Sequence, residues 1–312
     1  MSLKEKMIRS GLRMGNVKNL YSVPETEFVI EIKKRNSKRT FEIPDERGYD
    51  YEEIPVLEKY RALVCRKGET PSERAVLYIF GGDFLQGRED TDLDILHRLA
   101  QETGLDIWFP FYPLCIERTA LRAYDMVLDT YRQMVRRYGE GNVSVVGSSS
   151  GGTLAVGIPL YINYLKNAGN DTDADPRAEL PTPRRIICVS PLEIPWNDEE
   201  KNAMALVSYK DDVIDYAIFD ILEKYMMHGR DIPDFMLHPT RGDFTGMNDL
   251  TIYYSSTEVF GGAAPYFRQA CDKYQVPCRI DIADDMLHNY AMMPYFSEGK
   301  AKFDEIVRLL GK

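Results

Sequence analysis

The chain has 312 residues, of which 44% are hydrophobic and 28% are charged, the balance of a globular protein that can bury a sizeable core. Its formal net charge of −10 disfavours binding to nucleic acid or to anionic membrane surfaces, because both reward basic patches. No apolar run approaches the roughly 18 residues of a membrane span, and the basic N-terminus lacks the apolar stretch of a signal peptide, so we expect a cytoplasmic protein.

The cysteines argue against a disulfide framework and against a zinc site. Their number is odd and no two of them have C-x-x-C spacing, so we expect reduced, mostly buried thiols and no bound metal. They stand at Cys65, Cys115, Cys188, Cys271 and Cys278. The composition is compatible with a homodimer.

Residues 1 to about 50 contain short amphipathic segments with polar joins, too rich in charge to form a core of their own. We expect them to form part of a cap. A basic cluster lies among them, and a solvated connecting segment is favoured over a binding patch because no aromatic residues are interleaved with it. The cluster comprises Lys33, Lys34, Arg35, Lys38 and Arg39.

From about residue 60 onward, short β-branched or aromatic runs alternate with longer helical periods. This alternation predicts one α/β domain over residues 1–312, with a mostly parallel sheet covered by helices on both faces. The clearest helix runs from Leu121 to Tyr138, where apolar residues recur at three-and-four spacing. The predicted strands are Ala62–Cys65, Ala75–Phe80, Asp106–Pro110, Val143–Val146, Arg185–Val189, Thr251–Tyr254 and Arg279–Ile282.

Two later segments depart from this rhythm. Residues 168–183 are rich in Asn, Asp, Gly and Pro and predict a surface loop. Residues from about 195 to 245 predict a helix near Val213–Met227 and then a coil interrupted by prolines. This insertion after a strand is expected to complete the cap that the N-terminal segment begins.

The stretch from Asn142 to Gly152 predicts a strand, a sharp turn and a helix, the setting of a nucleophile elbow. The residues two before and two after such a nucleophile must be small, because the strand and the helix approach closely there. Ser149 alone of the three consecutive serines has glycine at both places, Gly147 and Gly151. The competing interpretation is a flexible or anion-binding Gly/Ser turn, which the strand–turn–helix setting disfavours.

A serine hydroxyl needs a histidine base, and the chain has four histidines. His97 lies within a predicted helix, and His228 and His238 lie in the predicted cap. His288 follows the last predicted strand, at the sheet edge where open α/β sheets build their sites, and it has the chain order that the hydrolase fold requires.

The acid that orients this histidine has several candidates. Glu258 follows the strand Thr251–Tyr254, whereas Asp249 precedes that strand and so lies at the wrong end. Asp284 and Asp285 are close to His288 in sequence, although solvated turn residues are the favoured interpretation of both.

Backbone N–H groups must also stabilise an oxyanion, and each is worth about a hundred- to a thousand-fold in rate. The strand Ala75–Phe80 ends in Gly81 and Gly82, a loop of the kind that supplies such groups. The residue after the nucleophile, here Ser150, commonly supplies another.

These segments together resemble the hormone-sensitive-lipase-like branch of the α/β-hydrolases, the group of bacterial acetyl esterases and carboxylesterases. The likeness runs from about residue 50 to the C-terminus. Residues 80–84, Phe-Gly-Gly-Asp-Phe, are similar to the family's His-Gly-Gly-Gly-Phe loop, and residues 147–152 to its Gly-Asp-Ser-Ala-Gly-Gly elbow. Residues 112–117 resemble its Tyr-Arg-Leu-Ala-Pro-Glu segment, and residues 286–288 its histidine loop.

The resemblance implies a helical cap over a site that hydrolyses a small-molecule ester without a cofactor. It assigns Ser149 as nucleophile, His288 as base and Glu258 as acid. The same resemblance implies an oxyanion hole from the N–H groups of three residues, shaped by Gly81. These residues are Gly82, Asp83 and Ser150.

Several residues depart from the family pattern. Ser148 and Ser150 are small polar replacements in the elbow, Glu258 stands for the commoner aspartate, and the two larger departures lie in the glycine loop. Phe80 replaces a histidine that braces the loop by hydrogen bonding, so we expect apolar packing to brace it here. Asp83 replaces the third glycine, and a carboxylate turned toward the oxyanion would oppose catalysis by several kcal/mol, whereas one facing solvent or a substrate cation would not. The rival hypothesis is therefore a binding protein on the same fold whose reaction has been lost.

Overall fold

The computed structural model describes residues 3–15, 17–168 and 175–312. Eight strands form one sheet in the order β1-β2-β4-β3-β5-β6-β7-β8. The first two strands are antiparallel to their neighbours, and β3 to β8 run parallel, so the mostly parallel sheet is confirmed. The strands are β1 Tyr49–Val56, β2 Tyr60–Lys67, β3 Ala75–Ile79, β4 Asp106–Pro110, β5 Val143–Ser148, β6 Ile186–Val189, β7 Leu250–Ser255 and β8 Cys278–Ala283.

Strand β1 was not predicted, because its sequence lacks the alternation of a half-buried strand. It lies at the edge of the sheet, and Val56 is its one fully buried residue. Its acidic side chains are balanced by Arg66 of β2, which contacts Asp50 at 2.6 Å and Glu52 at 2.9 Å. Cross-strand ion pairs take the place of hydrophobic patterning there.

Helices cover both faces of the sheet, with α3 packed on α9 and α4 packed on α5. The predicted helix near Val213–Met227 begins later than expected, because the Asp211 carboxylate accepts hydrogen bonds from the N–H groups of Val213 and Ile214 and holds that stretch as a loop. Helix α6 was not predicted, and part of the predicted 168–183 loop lies outside the described residues. The helices are α1 Leu3–Met14, α2 Glu25–Asn36, α3 Asp90–Thr103, α4 Ala120–Tyr138, α5 Ser150–Ala168, α6 Asp198–Ser208, α7 Ile218–Met227, α8 Ala264–Tyr274 and α9 Ser297–Gly311.

The N-terminal segment with α1 and α2 contacts the insertion that carries α6 and α7. Arg9 and Arg13 of α1 both bind Asp212, at 3.0 and 2.6 Å. Lys224 of α7 binds Glu25 of α2 at 2.6 Å. We propose that these two segments, residues 3–36 and 195–245, form one cap, and we call them the cap segments.

Five loops lie at the carboxyl edge of the parallel strands. They follow β3, β5, β6, β7 and β8, the strands that fill the centre and one side of the sheet. Parallel α/β sheets place their ligands at this edge, so the topology brings distant parts of the sequence to one place. Within the described ranges, no helix has the length and apolarity needed to cross a membrane.

Candidate active site

The turn between β5 and α5 has the steric frame that the sequence predicts. A Cβ added to Gly147 would lie 2.1 Å from the carbonyl oxygen of Gly151, and one added to Gly151 would lie 2.1 Å from that of Ile79. Ser149 adopts φ +52°, the strained left-handed conformation of a serine in a sharp turn, and is 2% exposed. Helix α5 begins at Ser150, so the positive end of its dipole lies beside the Ser149 hydroxyl.

His288 and Glu258 form a buried hydrogen-bonded pair. Nδ1 of His288 lies 2.6 Å from Oε2 of Glu258, so a proton on Nδ1 is donated to the carboxylate. The other carboxylate oxygen accepts from the Ser190 hydroxyl at 3.0 Å and from the Ser255 N–H at 2.7 Å. The Glu258 carboxylate is therefore held in one orientation by two further donors.

The alternative acids lie elsewhere. Asp284 accepts a hydrogen bond from Ser256 at the surface, and exposed Asp285 lies 3.5 Å from Arg9 of the cap segments. Asp249 binds Arg185 at 2.7 Å, before the start of β7.

The serine and the histidine are not joined by a hydrogen bond. Within the described part of the chain, the buried Ser149 Oγ has no hydrogen-bond partner. Both residues interact with one carboxylate: burial raises the pKa of Asp83, and Tyr21, His288 and the Ser149 hydroxyl oppose that rise. Hydrogen bonds between a nucleophile and its base are often long in unliganded enzymes and tighten when substrate binds.

Burial and neighbouring charges act in opposite directions on the pKa values of His288 and Glu258. Burial lowers the pKa of His288, but the Glu258 carboxylate, with Asp211 and Asp83, outweighs burial and raises it above its ordinary value. Burial raises the pKa of Glu258, and the hydrogen bond from His288 offsets part of that shift.

The loop after β3 packs directly against the serine. A Cβ added to Gly81 would lie 3.1 Å from Cβ of Ser149, so glycine permits this close approach. Gly82 has φ +107°, and its carbonyl oxygen accepts hydrogen bonds from Leu85 and Gln86 at 2.9 and 2.7 Å. Gly81 and Gly82 therefore form a tight turn that lies against Ser149.

The loop is braced by Tyr112 as well as by Phe80. The Phe80 ring stacks on Tyr112 with centroids 4.4 Å apart, the apolar packing that the sequence predicts. The Tyr112 hydroxyl also donates to the carbonyl oxygens of Phe80 and Gly81, at 3.0 and 3.1 Å. A polar brace is therefore present, supplied by another residue than position 80.

The Asp83 side chain is buried and does not face solvent. It is 5% exposed with φ +55°, and its Oδ2 accepts a short hydrogen bond from the Tyr21 hydroxyl of the N-terminal segment. Burial raises the pKa of Asp83, and the hydrogen bond from Tyr21 opposes that shift. The carboxylate is thus held by a residue some sixty positions away in sequence.

Three residues that contribute to this site escaped the sequence interpretation. Ser190 follows β6 directly and bridges Glu258 to the N–H of Asn289, so its position at a strand end was an available signal. Asp211 accepts from the Val259 N–H at 2.8 Å, next to Glu258. Nothing in the sequence distinguishes Asp211 or Tyr21 from other residues of the cap segments.

We call the loop after β3, residues 80–84, the oxyanion loop after its predicted role. A cavity of about 370 Å³ opens beside this loop and the elbow. Gly81, Gly82 and Ser148 form one wall. Asn289 Oδ1 and the Tyr295 hydroxyl belong to residues lining this cavity, and neither has a hydrogen-bond partner within the described residues. Its apolar lining residues are Ile8, Ile95, Met292 and Met293.

Comparison with known proteins identifies relatives of the whole fold. The model of a family described as alpha/beta hydrolase fold matches residues 76–292. A protein named esterase from Acinetobacter venetianus is 22% identical over 247 residues, covering 77% of this chain and 75% of the relative.

Two solved structures have the same architecture along nearly the whole chain. The hormone-sensitive-lipase homologue EstE7 from a metagenome library has a TM-score of 0.77 and 17% identity, covering 99% of this chain and 98% of the other. EstE5 soaked with p-nitrophenyl butyrate has a TM-score of 0.78 and 20% identity, covering 100% and 98%. At 17% and 20% identity, this similarity shows that the chain shares the fold of these two structures.

Proposed function

The chain belongs to the α/β-hydrolase fold family, and from that premise we propose that it is a serine hydrolase cleaving carboxylic esters of small acyl substrates. The observation that carries the proposal is the 2.6 Å contact between His288 and Glu258, at the sheet edge where Ser149 has φ +52°. The name of the Acinetobacter relative supports an esterase reaction.

In the first half of the proposed reaction, Ser149 Oγ attacks the ester carbonyl carbon and passes its proton to Nε2 of His288. Glu258 keeps the other ring nitrogen protonated and stabilises the imidazolium that forms. The tetrahedral intermediate then expels the alcohol, which takes the proton from His288 Nε2. In the second half, water activated by His288 hydrolyses the acyl-enzyme and releases the acid.

We propose that the N–H groups of Gly82, Asp83 and Ser150 stabilise the oxyanion of each tetrahedral intermediate. Ser150 is the first residue of α5, so its N–H has no acceptor within the helix. Each such donor is worth about a hundred- to a thousand-fold in rate. Tyr21 keeps the Asp83 carboxylate hydrogen-bonded, which reduces its repulsion of the developing negative charge.

The cavity beside the oxyanion loop favours small substrates. Its volume of about 370 Å³ is near the lower end of the range of small-molecule sites, about 300–1,000 Å³. Its apolar side chains suit a short acyl or alkyl chain. We therefore expect acetate and butyrate esters to be hydrolysed faster than long-chain esters.

The test is hydrolysis of p-nitrophenyl acetate and butyrate, combined with labelling by a fluorophosphonate and identification of the labelled peptide. We expect Ser149→Ala to lower kcat/KM by about ten-thousand-fold or more and to abolish labelling. Ser148→Ala is the matched control, because Ser148 is the adjacent serine of the triplet, and we expect it to retain activity within about tenfold of the unmodified protein, which is less than one oxyanion donor contributes. Equal losses in both variants would contradict the assignment of Ser149.

A second candidate function is small-ligand binding without catalysis. The observations that favour it are the Ser149 hydroxyl without a hydrogen bond to His288 and the carboxylate of Asp83 beside it. An unmodified protein that is inert toward both esters and is not labelled at Ser149 would establish this candidate and overturn the esterase.

A further inference from the structure

A second cavity, of about 460 Å³, shares no lining residue with the one beside the oxyanion loop. Three separate parts of the chain line it: the turn between β1 and β2, the start of α4, and the residues that follow α7. Each part contributes at least one cationic side chain. The cationic residues are Lys59, Arg118, Arg122 and Arg230, and His228 lies among them.

The charge of this cavity is not neutralised by the protein. Glu117 is the single carboxylate among its lining residues, and Arg122 pairs with Asp125 at 3.4 Å, which leaves an excess of two positive charges when His228 is neutral. Within the described residues, the side chains of Lys59, Arg118 and Arg230 form no ion pair or hydrogen bond, whereas Arg66 elsewhere binds two carboxylates. Such a concentration of unpaired cations is unusual on a chain of net charge −10.

The start of α4 adds to the positive potential. Helix α4 is 19 residues long, its first turn carries no acidic residue, and the Thr119 side chain makes no capping hydrogen bond. Its first N–H groups therefore lack a side-chain acceptor, and Thr119 lines the cavity. Anions bind such helix starts, and here four cationic side chains surround it.

We propose that this cavity binds a phosphoryl group carried by a small organic molecule. Guanidinium groups match the oxygens of a phosphate in paired hydrogen bonds, and a doubly charged anion offsets the excess positive charge. The volume lies within the range of small-molecule sites, so there is room for the organic part of the ligand.

Hydrogen bonds also connect the anion cavity to the oxyanion loop. Nε2 of His228 lies 2.7 Å from the carbonyl oxygen of Cys115, and the Cys115 N–H donates to the Phe84 carbonyl at 2.6 Å. One residue therefore connects the anion cavity to the loop that contains Asp83.

Isothermal titration with pyrophosphate and with inorganic phosphate, at constant ionic strength set by chloride, tests the proposal. We expect pyrophosphate to bind, and Arg118→Gln and Arg230→Gln each to weaken binding about tenfold or more, since each removes a charged hydrogen-bond donor. Arg136→Gln is the matched control, because Arg136 is exposed on the same helix α4 and its loss changes the net charge equally. This variant should bind as the unmodified protein does.

Three outcomes would overturn the proposal. The first is the absence of binding of both phosphates, and the second is an equal loss in Arg136→Gln, which would indicate diffuse attraction. Citrate is titrated in the same way, and the third outcome is that it binds as tightly as pyrophosphate, which would contradict the phosphoryl assignment. Binding is read directly and should be unchanged in Ser149→Ala, so the result does not depend on the esterase proposal.

Discussion

The elbow at Ser149 and the oxyanion loop at Asp83 lie against each other but are stabilised in different ways. The elbow depends on close backbone contacts, of Gly147 with Gly151 and of Gly151 with Ile79 of β3. The oxyanion loop depends on side chains from distant segments, with Tyr112 on its carbonyl groups and Tyr21 on the Asp83 carboxylate.

Both regions depart from the family motif, the elbow at Ser148 and Ser150 and the loop at Phe80 and Asp83, but the residues that can change differ in kind. The elbow leaves no space for a side chain at either glycine, so its sequence pattern is dictated by sterics. A loop held from outside tolerates Phe80 and Asp83 as long as its partners compensate. A residue that departs from a family motif is therefore best judged by the residues that contact it.

The largest effect is expected from breaking the elbow with Gly147→Ala. The added Cβ would lie 2.1 Å from the Gly151 carbonyl oxygen, and backbone atoms cannot move aside as a flexible side chain does. We expect a loss of about 3 kcal/mol or more in the free energy of unfolding, measured with urea, together with loss of esterase activity.

Gly11→Ala is the control for this substitution. Gly11 lies on exposed α1 with no atom within 4 Å of an added Cβ, so we expect up to about 1 kcal/mol of stabilisation from helix propensity. A Gly147→Ala protein as stable as the unmodified chain would contradict the steric account of the elbow.

The next effect in size concerns the acid of the proposed triad, for which the sequence alone left alternatives. We expect Glu258→Gln to lower kcat by about a thousand- to ten-thousand-fold, because an amide cannot stabilise the imidazolium of His288. Asp284→Asn should leave kcat unchanged, since Asp284 contacts Ser256 and not His288. Comparable losses of p-nitrophenyl butyrate hydrolysis in the two variants would reject Glu258 as the acid.

Tyr21→Phe tests the support of the oxyanion loop from the cap segments. Asp83 would lose a hydrogen bond in a buried place, and we expect kcat/KM to fall about tenfold, since a hydrogen bond to a charged group is worth about 1.5–3 kcal/mol. In an Asp83→Gly background the same substitution should have no effect. A fall of equal size in both backgrounds would instead assign Tyr21 a packing role.

The smallest expected effect is a shift in the pH dependence of kcat/KM. His288 acts as a base only when neutral, and neighbouring carboxylates raise its pKa, so we expect kcat/KM to rise with pH and to reach half its maximum above the ordinary histidine value of about 6.5. Asp83→Gly removes one of these carboxylates and should move the rise to lower pH.

Asp304→Asn removes an equal charge from α9 and should leave the pH profile of kcat/KM where it is. A rise below pH 6.5 in the unmodified protein, or an equal shift in both variants, would contradict this electrostatic account.

Sequence was sufficient where local sterics or strand position decide the structure. Gly147 and Gly151 identify the elbow, and the parallel core strands were predicted because their runs are buried and β-branched. Strand β1 was missed because Arg66 neutralises its acidic residues, an interaction between neighbouring strands with no local periodicity. Tyr21 and Asp211 were missed for the same reason, since their partners lie far along the chain and only the packed cap segments bring them together.

The burial of Ser149 has a consequence for time-resolved measurements. With its hydroxyl enclosed and the Arg9 and Arg13 ion pairs joining the cap segments, we expect a large covalent reagent to reach the serine only after those segments separate. For reagents too large for the cavity beside the oxyanion loop, the labelling rate therefore reports how often the protein opens. For small ones, it reports the intrinsic reactivity of the serine.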